Sequence, residues 1–489
     1  MATGASRQNL QRANRDAEQP VALPQRPSEL SQLWHEVLRP WFWPLIALGV
    51  LFGAIYRHGA EVPLDTAAFA AISSCLLVLA LIDKKNQAAL AKVPNPKWAL
   101  IGLVLVWLVM AAQLLPIPFL TGGNKSWFPV QSVTVDVDLT LRAMVSMGSA
   151  VAFFVFGAIF GADRERREIV LWLLGVLTFS VIMYAFMLHS SGLSARSFQQ
   201  SGGETVMEGP FLNANTFAIL MVMVFSVCLG TFVAEDRRHK GKQRLWVRVG
   251  AVVLAAAAAV CIFLTMSRAA WILSLGIIFG LALIVRPGAH LRTSIFGVAA
   301  LLVLFIGWNA SEQLGLSTRP LDLAQGFDGR FADWEPGLDL TRMRPILGWG
   351  AGTFARAMEP FRDAPQIASS MIVITPQNSI LLITSETGLI GMVAWGILLT
   401  GIVLFAVNGL KVRSSSPVLA VSLLLGASAA IVQSLVDFPM SIPAIAAFWA
   451  FLLGYCGGLG GKARRKKRRN RPDASSNQSG RFSRQRISA

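Results

Sequence analysis

The apolar runs of this chain decide what it can fold into. A helix needs about 20 apolar residues to cross a bilayer, and about 17 can suffice. Twelve stretches approach or exceed that length, at 41–56, 66–82, 98–116, 141–161, 169–188, 211–233, 247–266, 270–285, 293–309, 380–407, 417–436 and 441–458. The chain is 54% hydrophobic and 15% charged, where a soluble protein carries about 25% charged residues. The expected fold class is an all-α polytopic membrane protein of about twelve transmembrane helices, with one membrane domain over 41–458. The run TSETGLIG, carrying Gly388 and Gly391, predicts a break in the tenth span. Pro44 is expected in the first turn of the first span, where proline is tolerated.

The basic residues orient the spans, because cytoplasmic loops collect Lys and Arg. With the N-terminus inside, 33 of the 44 basic residues fall on the cytoplasmic side and 11 on the outer side. Both termini are therefore expected in the cytoplasm. Residues 1–27 are polar and predicted disordered, and Leu30, Leu33, Trp34, Val37 and Leu38 recur at the spacing of an interfacial helix; together they make an N-terminal tail over 1–40. The first forty residues lack an apolar core, so no cleavable signal is expected. The net charge of +17 owes eleven basic residues to the tail 459–489. A basic run after a last span reads as a topology anchor on anionic lipid. No folded reader domain accompanies it, so nucleic acid is not an expected partner. The four cysteines lie in apolar runs without metal-ligand spacing, and neither a disulfide nor a metal site is expected. There is no Walker-type phosphate loop and no HExxH.

Between spans nine and ten lies one long polar insert, 310–378, with six arginines and eight acidic residues. A connector would be far shorter, so the insert reads as functional, a lid and half of a site. Arg330, Arg342 and Arg344 sit in it, with Trp334 four residues from Arg330; Pro336-Gly337 argues against a continuous helix there. The run GWGAG, with Gly348 and Gly350, either brings backbone N–H groups to an anion or makes a plain tight turn. Arg268 stands at the outer edge of LTMSRAAW, either snorkelling or aimed into a cavity. Asn213 and Asn215 enter an apolar helix, as caps and inter-helix hydrogen bonders or as site residues. Gln377, Asn378 and Glu386 lie at the start of the tenth span; Asp437 and Pro439 form the last outer turn and read as structural. Several arginines at a membrane cavity suit a pyrophosphate, whose oxygens guanidinium forks bind in pairs.

In GPFLNANTFA (209–218), LTMSRAAW (264–271), GRFADWEPGLDLTRMRPILGWGAGTF (329–354), PQNSILLITSETGLIG (376–391) and VTVDVDLTLRAM (133–144), the chain resembles the O-antigen ligase and polymerase superfamily. That family includes lipopolysaccharide O-antigen ligases, Wzy-type polysaccharide polymerases and some protein O-oligosaccharyltransferases. The resemblance spans roughly residues 130–445. It implies a GT-C-like fold with a large periplasmic loop, in a bacterial inner membrane. It also implies transfer of a glycan from a polyprenyl diphosphate, usually undecaprenyl, to an acceptor hydroxyl, with no obligatory metal and no cofactor. Exopolysaccharide, capsule or O-antigen would be the product, and a chain-length regulator or another assembly protein a possible partner. Arg268 and Arg330 match arginines that hold the diphosphate, and Arg344 lies beside the PxxGxG turn.

One position departs from the family. Many members carry His-Asn where this chain has Gln377-Asn378, and glutamine cannot act as a general base. Of the five histidines, none lies in the insert, and only His189 stands where it could approach the cavity. Either a carboxylate such as Glu386, Asp333 or Glu335 serves instead, or departure of the diphosphate needs little help from a base. The missing histidine favours polymerisation over ligation to lipid A-core. A flippase for the same lipid-linked sugars is the rival; it would show inverted repeats and helices broken at corresponding positions.

Overall fold

The computed structural model describes residues 38–116, 132–192, 206–234, 242–284, 334–361, 375–411 and 417–461. Among them all regular structure is helical. The apolar helices are α1 (Arg39–Tyr56), α2 (Pro63–Ile82), α4 (Lys97–Gln113), α5 (Val137–Ala162), α6 (Arg164–Ser190), α7 (Ala214–Ala234), α8 (Lys242–Leu264), α9 (Arg268–Ile284), α12 (Ser379–Val407), α13 (Pro417–Gln433) and α14 (Pro443–Leu459). Three shorter helices are α3 (Lys84–Leu90), α10 (334–343) and α11 (Phe354–Met358). Seven of these helices are long and apolar enough to cross a membrane, and four shorter apolar helices accompany them. This is a polytopic membrane protein. Eleven of the twelve expected runs are helices; the run 293–309 and the interfacial helix before Leu38 lie outside the described residues.

Two expectations change in detail. Pro44 sits inside α1, not in its first turn, because the helix starts at Arg39, with Pro40 taking the early position instead. Pro336 and Gly337 do not interrupt α10: Pro336 falls in its first turn, where a missing N–H costs nothing.

Helix α14 is buried on almost every side, and α7 nearly so. Within lipid the hydrophobic effect does not drive helices together, so association depends on close backbone approach over small residues. On α5, Gly157 and Gly161 make a GxxxG pair; on α14, Gly454 and Gly458 make another. A Cβ on Gly157 would lie 2.2 Å from the Phe451 carbonyl oxygen, and one on Gly454 2.1 Å from that of Phe154. Helix α4 meets α12 similarly, Gly102 against the Leu398 backbone. Helix α7 meets α13 with Ser226 Oγ donating to the Ser422 carbonyl at 2.6 Å.

Polar side chains close one end of the bundle. Asp83 caps α3, accepting from Lys85 N (2.9 Å), Arg39 Nη2 (2.9 Å) and Trp43 Nε1 (3.1 Å). Arg166, fully buried, donates to Asn86 Oδ1, and Tyr455 Oη donates to the Arg167 carbonyl at 3.0 Å. Burial alone would raise the Asp83 pKa, but the bonds from Lys85, Arg39 and Trp43 outweigh it and hold the carboxyl below its usual value. At the other end, where α12 begins, lie the candidate residues that are described.

Gly157→Val forces its Cβ into the Phe451 carbonyl, and overpacking of this kind costs about 1–3 kcal/mol or more. Thermal unfolding in detergent is expected to drop by several degrees or the folded protein to vanish. Gly396→Ala, whose Cβ meets nothing within 4 Å, is expected to leave the transition in place. Because the Asp83 pKa is depressed on folding, its stabilisation is complete above the ordinary carboxylate range and lost as pH falls below about 4. A melting-temperature titration of Asp83→Asn against the parent should show the gap between them closing on acidification.

Candidate active site

A helix that breaks inside a bilayer frees backbone groups that must find partners. Helix α12 breaks at Gly388, whose φ of 68° and ψ of −174° are not helical. An unbroken helix would carry Leu389 N to Ser385 O and Ile390 N to Glu386 O. Instead the segment 345–350 supplies all four partners. Leu389 N donates to Pro345 O (2.8 Å) and Ile390 N to Ile346 O (3.4 Å), while Trp349 N donates to Ser385 O (3.0 Å) and Gly350 N to Glu386 O (2.9 Å). The long insert thus lays a strap, residues 344–354, into the break.

Glycine is needed for this contact. A Cβ on Gly388 would lie 2.1 Å from Ile346 O, and one on Gly348 2.5 Å from Glu386 O. Both residues also hold positive φ, which L side chains avoid. Within GWGAG the N–H of Gly348 donates to Arg344 O (3.2 Å) and that of Gly350 to Glu386 O (2.9 Å).

The strap is held from three sides. Glu386 accepts Phe354 N at its Oε1 (3.2 Å), and the Gly352 amide also bonds to its carboxylate. Arg344 Nη1 donates to Val133 O (2.9 Å), and its guanidinium lies 4.1 Å from the Trp349 ring centroid, a cation–π contact. Burial lowers the Arg344 pKa, yet a guanidinium keeps its charge. Trp349 Nε1 donates to Leu340 O (2.8 Å), and Val135 N to Trp349 O (3.0 Å). From the end of α4, Gln113 donates through Nε2 to Leu347 O (2.6 Å) and Glu386 O (2.7 Å), and accepts Ala351 N at Oε1 (3.0 Å).

The start of α12 is tied to the end of α13. Asn378 caps α12, its Oδ1 accepting Ile380 N (2.9 Å) and Leu381 N (3.2 Å), while its Nδ2 donates to Leu435 O (2.8 Å). Gln377 precedes it with φ 49°, a strained value for a residue with a Cβ. Asp437 is buried, its Oδ1 accepting Phe438 N at 2.8 Å.

Asn213 Oδ1 accepts Asn215 N (2.8 Å) at the start of α7, and Met207 N donates to Leu264 O (3.0 Å) just ahead of Arg268, the first residue of α9. A Cβ on Gly59 would touch both Phe211 and Ile442, so the α7 entrance and the α13–α14 turn share one end of the bundle. In α10, Trp334 is half-buried, Glu335 is exposed, and Arg342 pairs with Asp339 at 3.0 Å on the surface. Arg330 and Asp333 lie outside the described residues.

Gln113 did not stand out in the sequence, and 133–135 stood out only within the motif VTVDVDLTLRAM, with no contact to the strap legible. The signal for Gln113 was slight, a lone amide closing the apolar run LVMAAQLLP.

Residues 250–396 match the family model described as O-antigen ligase. This central segment is therefore similar to the O-antigen ligase family, in agreement with the motif resemblance. It takes in Arg268, the strap and the break in α12, and leaves α4, α5 and the α7 entrance outside. No curated protein matches the chain.

Gly388→Ala is expected to expel the strap, since its Cβ and the Ile346 carbonyl cannot share the space. Limited proteolysis should then cut within 344–354 at a rate at least tenfold above the parent. Glu386→Ala leaves the Gly352 and Phe354 amides without their acceptor, an orphaning that costs about 1–3 kcal/mol per buried group; the same assay should show intermediate cleavage.

Proposed function

We propose, from an O-antigen ligase segment folded as a strap seated in a broken helix, that this protein is a glycosyltransferase of the bacterial inner membrane. It polymerises undecaprenyl-diphosphate-linked oligosaccharide repeats at the periplasmic face. On this reading the chain has about twelve spans in a GT-C-like arrangement, both termini are cytoplasmic, and 310–378 is a periplasmic catalytic loop. The observation that carries the reading is the strap. It fixes Arg344 beside the break, at the bundle end that also holds Arg268 and Asn213.

The reaction joins an acceptor hydroxyl oxygen to the anomeric carbon of the donor sugar. The bond from that carbon to the phosphate oxygen breaks, and its electron pair leaves on the diphosphate. Arg268, Arg330, Arg344 and the more exposed Arg342 take the developing charge, which fixed donors stabilise without reorganising. Asn213, Asn215, Trp334 and the backbone at Gly348 and Gly350 shape the pocket around the sugar and the phosphates. The hydroxyl proton passes to a carboxylate. Asp333 and Glu335, both of the insert, are the candidates for it, while Glu386 spends an oxygen on the strap and acts chiefly by holding it. Gln377 and Asn378 orient groups by hydrogen bonds. No step calls for a metal or cofactor.

Ligation to lipid A-core differs only in the acceptor. The carrier reading has one point in its favour, the broken α12. But among the described α-helices α12 alone is broken, whereas inverted repeats place breaks in pairs.

Purified protein in vesicles containing lipid-linked oligosaccharide separates the three. Chain growth on the carrier marks a polymerase, transfer to added lipid A-core a ligase, and translocation alone a flippase. Arg268→Ala is expected to lower transfer by about 10²–10³-fold, with Arg268→Lys in between; unchanged transfer in the alanine variant would remove the diphosphate role.

A further inference from the structure

Gln113 lies in α4, far in sequence from the family-matched segment, and its side chain is fully buried. A buried primary amide has two N–H donors and a carbonyl acceptor to satisfy. All are spent on the active-site end: two bonds leave Nε2, for Leu347 O in the strap and Glu386 O in the broken helix, and Oε1 receives Ala351 N from the strap. One side chain thus spans both partners of the strap–break contact. The chain around it grips the same strap, because Thr134 N donates to Gln113 O (2.9 Å) and Val133 O receives Arg344. Helix α4 is itself packed tightly on the second half of α12, where a Cβ on Gly401 would lie 2.3 Å from Ala99 N. The frame that carries Gln113 is therefore continuous with the helix beyond the break.

We infer that Gln113 is a positioning residue of the active site. Its amide sets the register of the strap against the break, and so sets where Arg344 and Glu386 stand relative to bound substrate. This rests on the glycosyltransferase reading for its effect on rate, but not for its effect on the strap. The residue touches no reacting atom; it acts through the backbone of 347, 351 and 386.

Gln113→Met keeps the length and burial of the side chain and removes all three hydrogen bonds. Ser226→Ala, which deletes a buried hydrogen bond in the α7–α13 contact, serves as the structural comparison. Transfer is measured per folded molecule, with kcat and the donor KM separated, alongside amide exchange resolved at 347–353. Misplacement of reacting groups by about 1 Å can cost around 10²-fold in rate. Gln113→Met is therefore expected to lose tenfold to a hundredfold in kcat and to exchange Ala351 faster, while Ser226→Ala keeps kcat and strap exchange. Equal kcat per folded molecule in the two variants would overturn the positioning role. If the parent protein transfers no glycan, the glycosyltransferase reading fails by itself, and exchange decides the inference: faster exchange at 349–351 sustains it, parental exchange refutes it.

Discussion

Everything at the candidate site of this molecule depends on an exchange of backbone hydrogen bonds. Helix α12 gives up two internal bonds at Gly388, and the strap returns partners to all four groups they involved. In water such a break would cost little, since solvent would fill the gap. Inside a bilayer each orphaned group costs several kcal/mol, so the strap is a condition of the break and the break is the socket of the strap. That mutual dependence explains why two stretches with so much glycine, PILGWGAG and SETGLIG, sit so close in space: neither has room for a side chain at the contact.

The molecule is polarised as a result. At one end, side chains of opposite charge and hydrogen-bonded amides close on each other around Asp83 and Arg166. The other end is built from backbone brought together by caps and turns, at Asn213, Asn378 and the strap. Arg344 joins the two materials, a charge stacked on Trp349 and tied to a carbonyl oxygen from the α4–α5 connection.

The helices were legible in the sequence because apolar length is a local property, and so was the break, because TSETGLIG interrupts an apolar run visibly. The boundary at Pro44 was misplaced for a local reason too: Pro40 satisfies the preference for an early proline equally well, and the helix starts one residue before it, at Arg39. The roles of Gln113, Val133 and Trp349 were not legible. Each depends on a partner more than two hundred residues away or on a backbone carbonyl, and carbonyls leave no trace in a sequence. Capping was already one reading of Asn213 in the sequence; that Asn378 caps α12 is seen only in the geometry.

The order of synthesis meets an obstacle in the way α14 is seated. It is the last helix among the described residues, yet it is buried on almost every side, its glycines pressed against the backbone of α5. A ribosome releases α5 some three hundred residues earlier, so the groove on α5 must stand vacant in the membrane while the rest of the chain is translated. The bundle can lock only after α14 has been made. A deletion that spares every candidate site residue but removes α14 would therefore leave the molecule without its keystone.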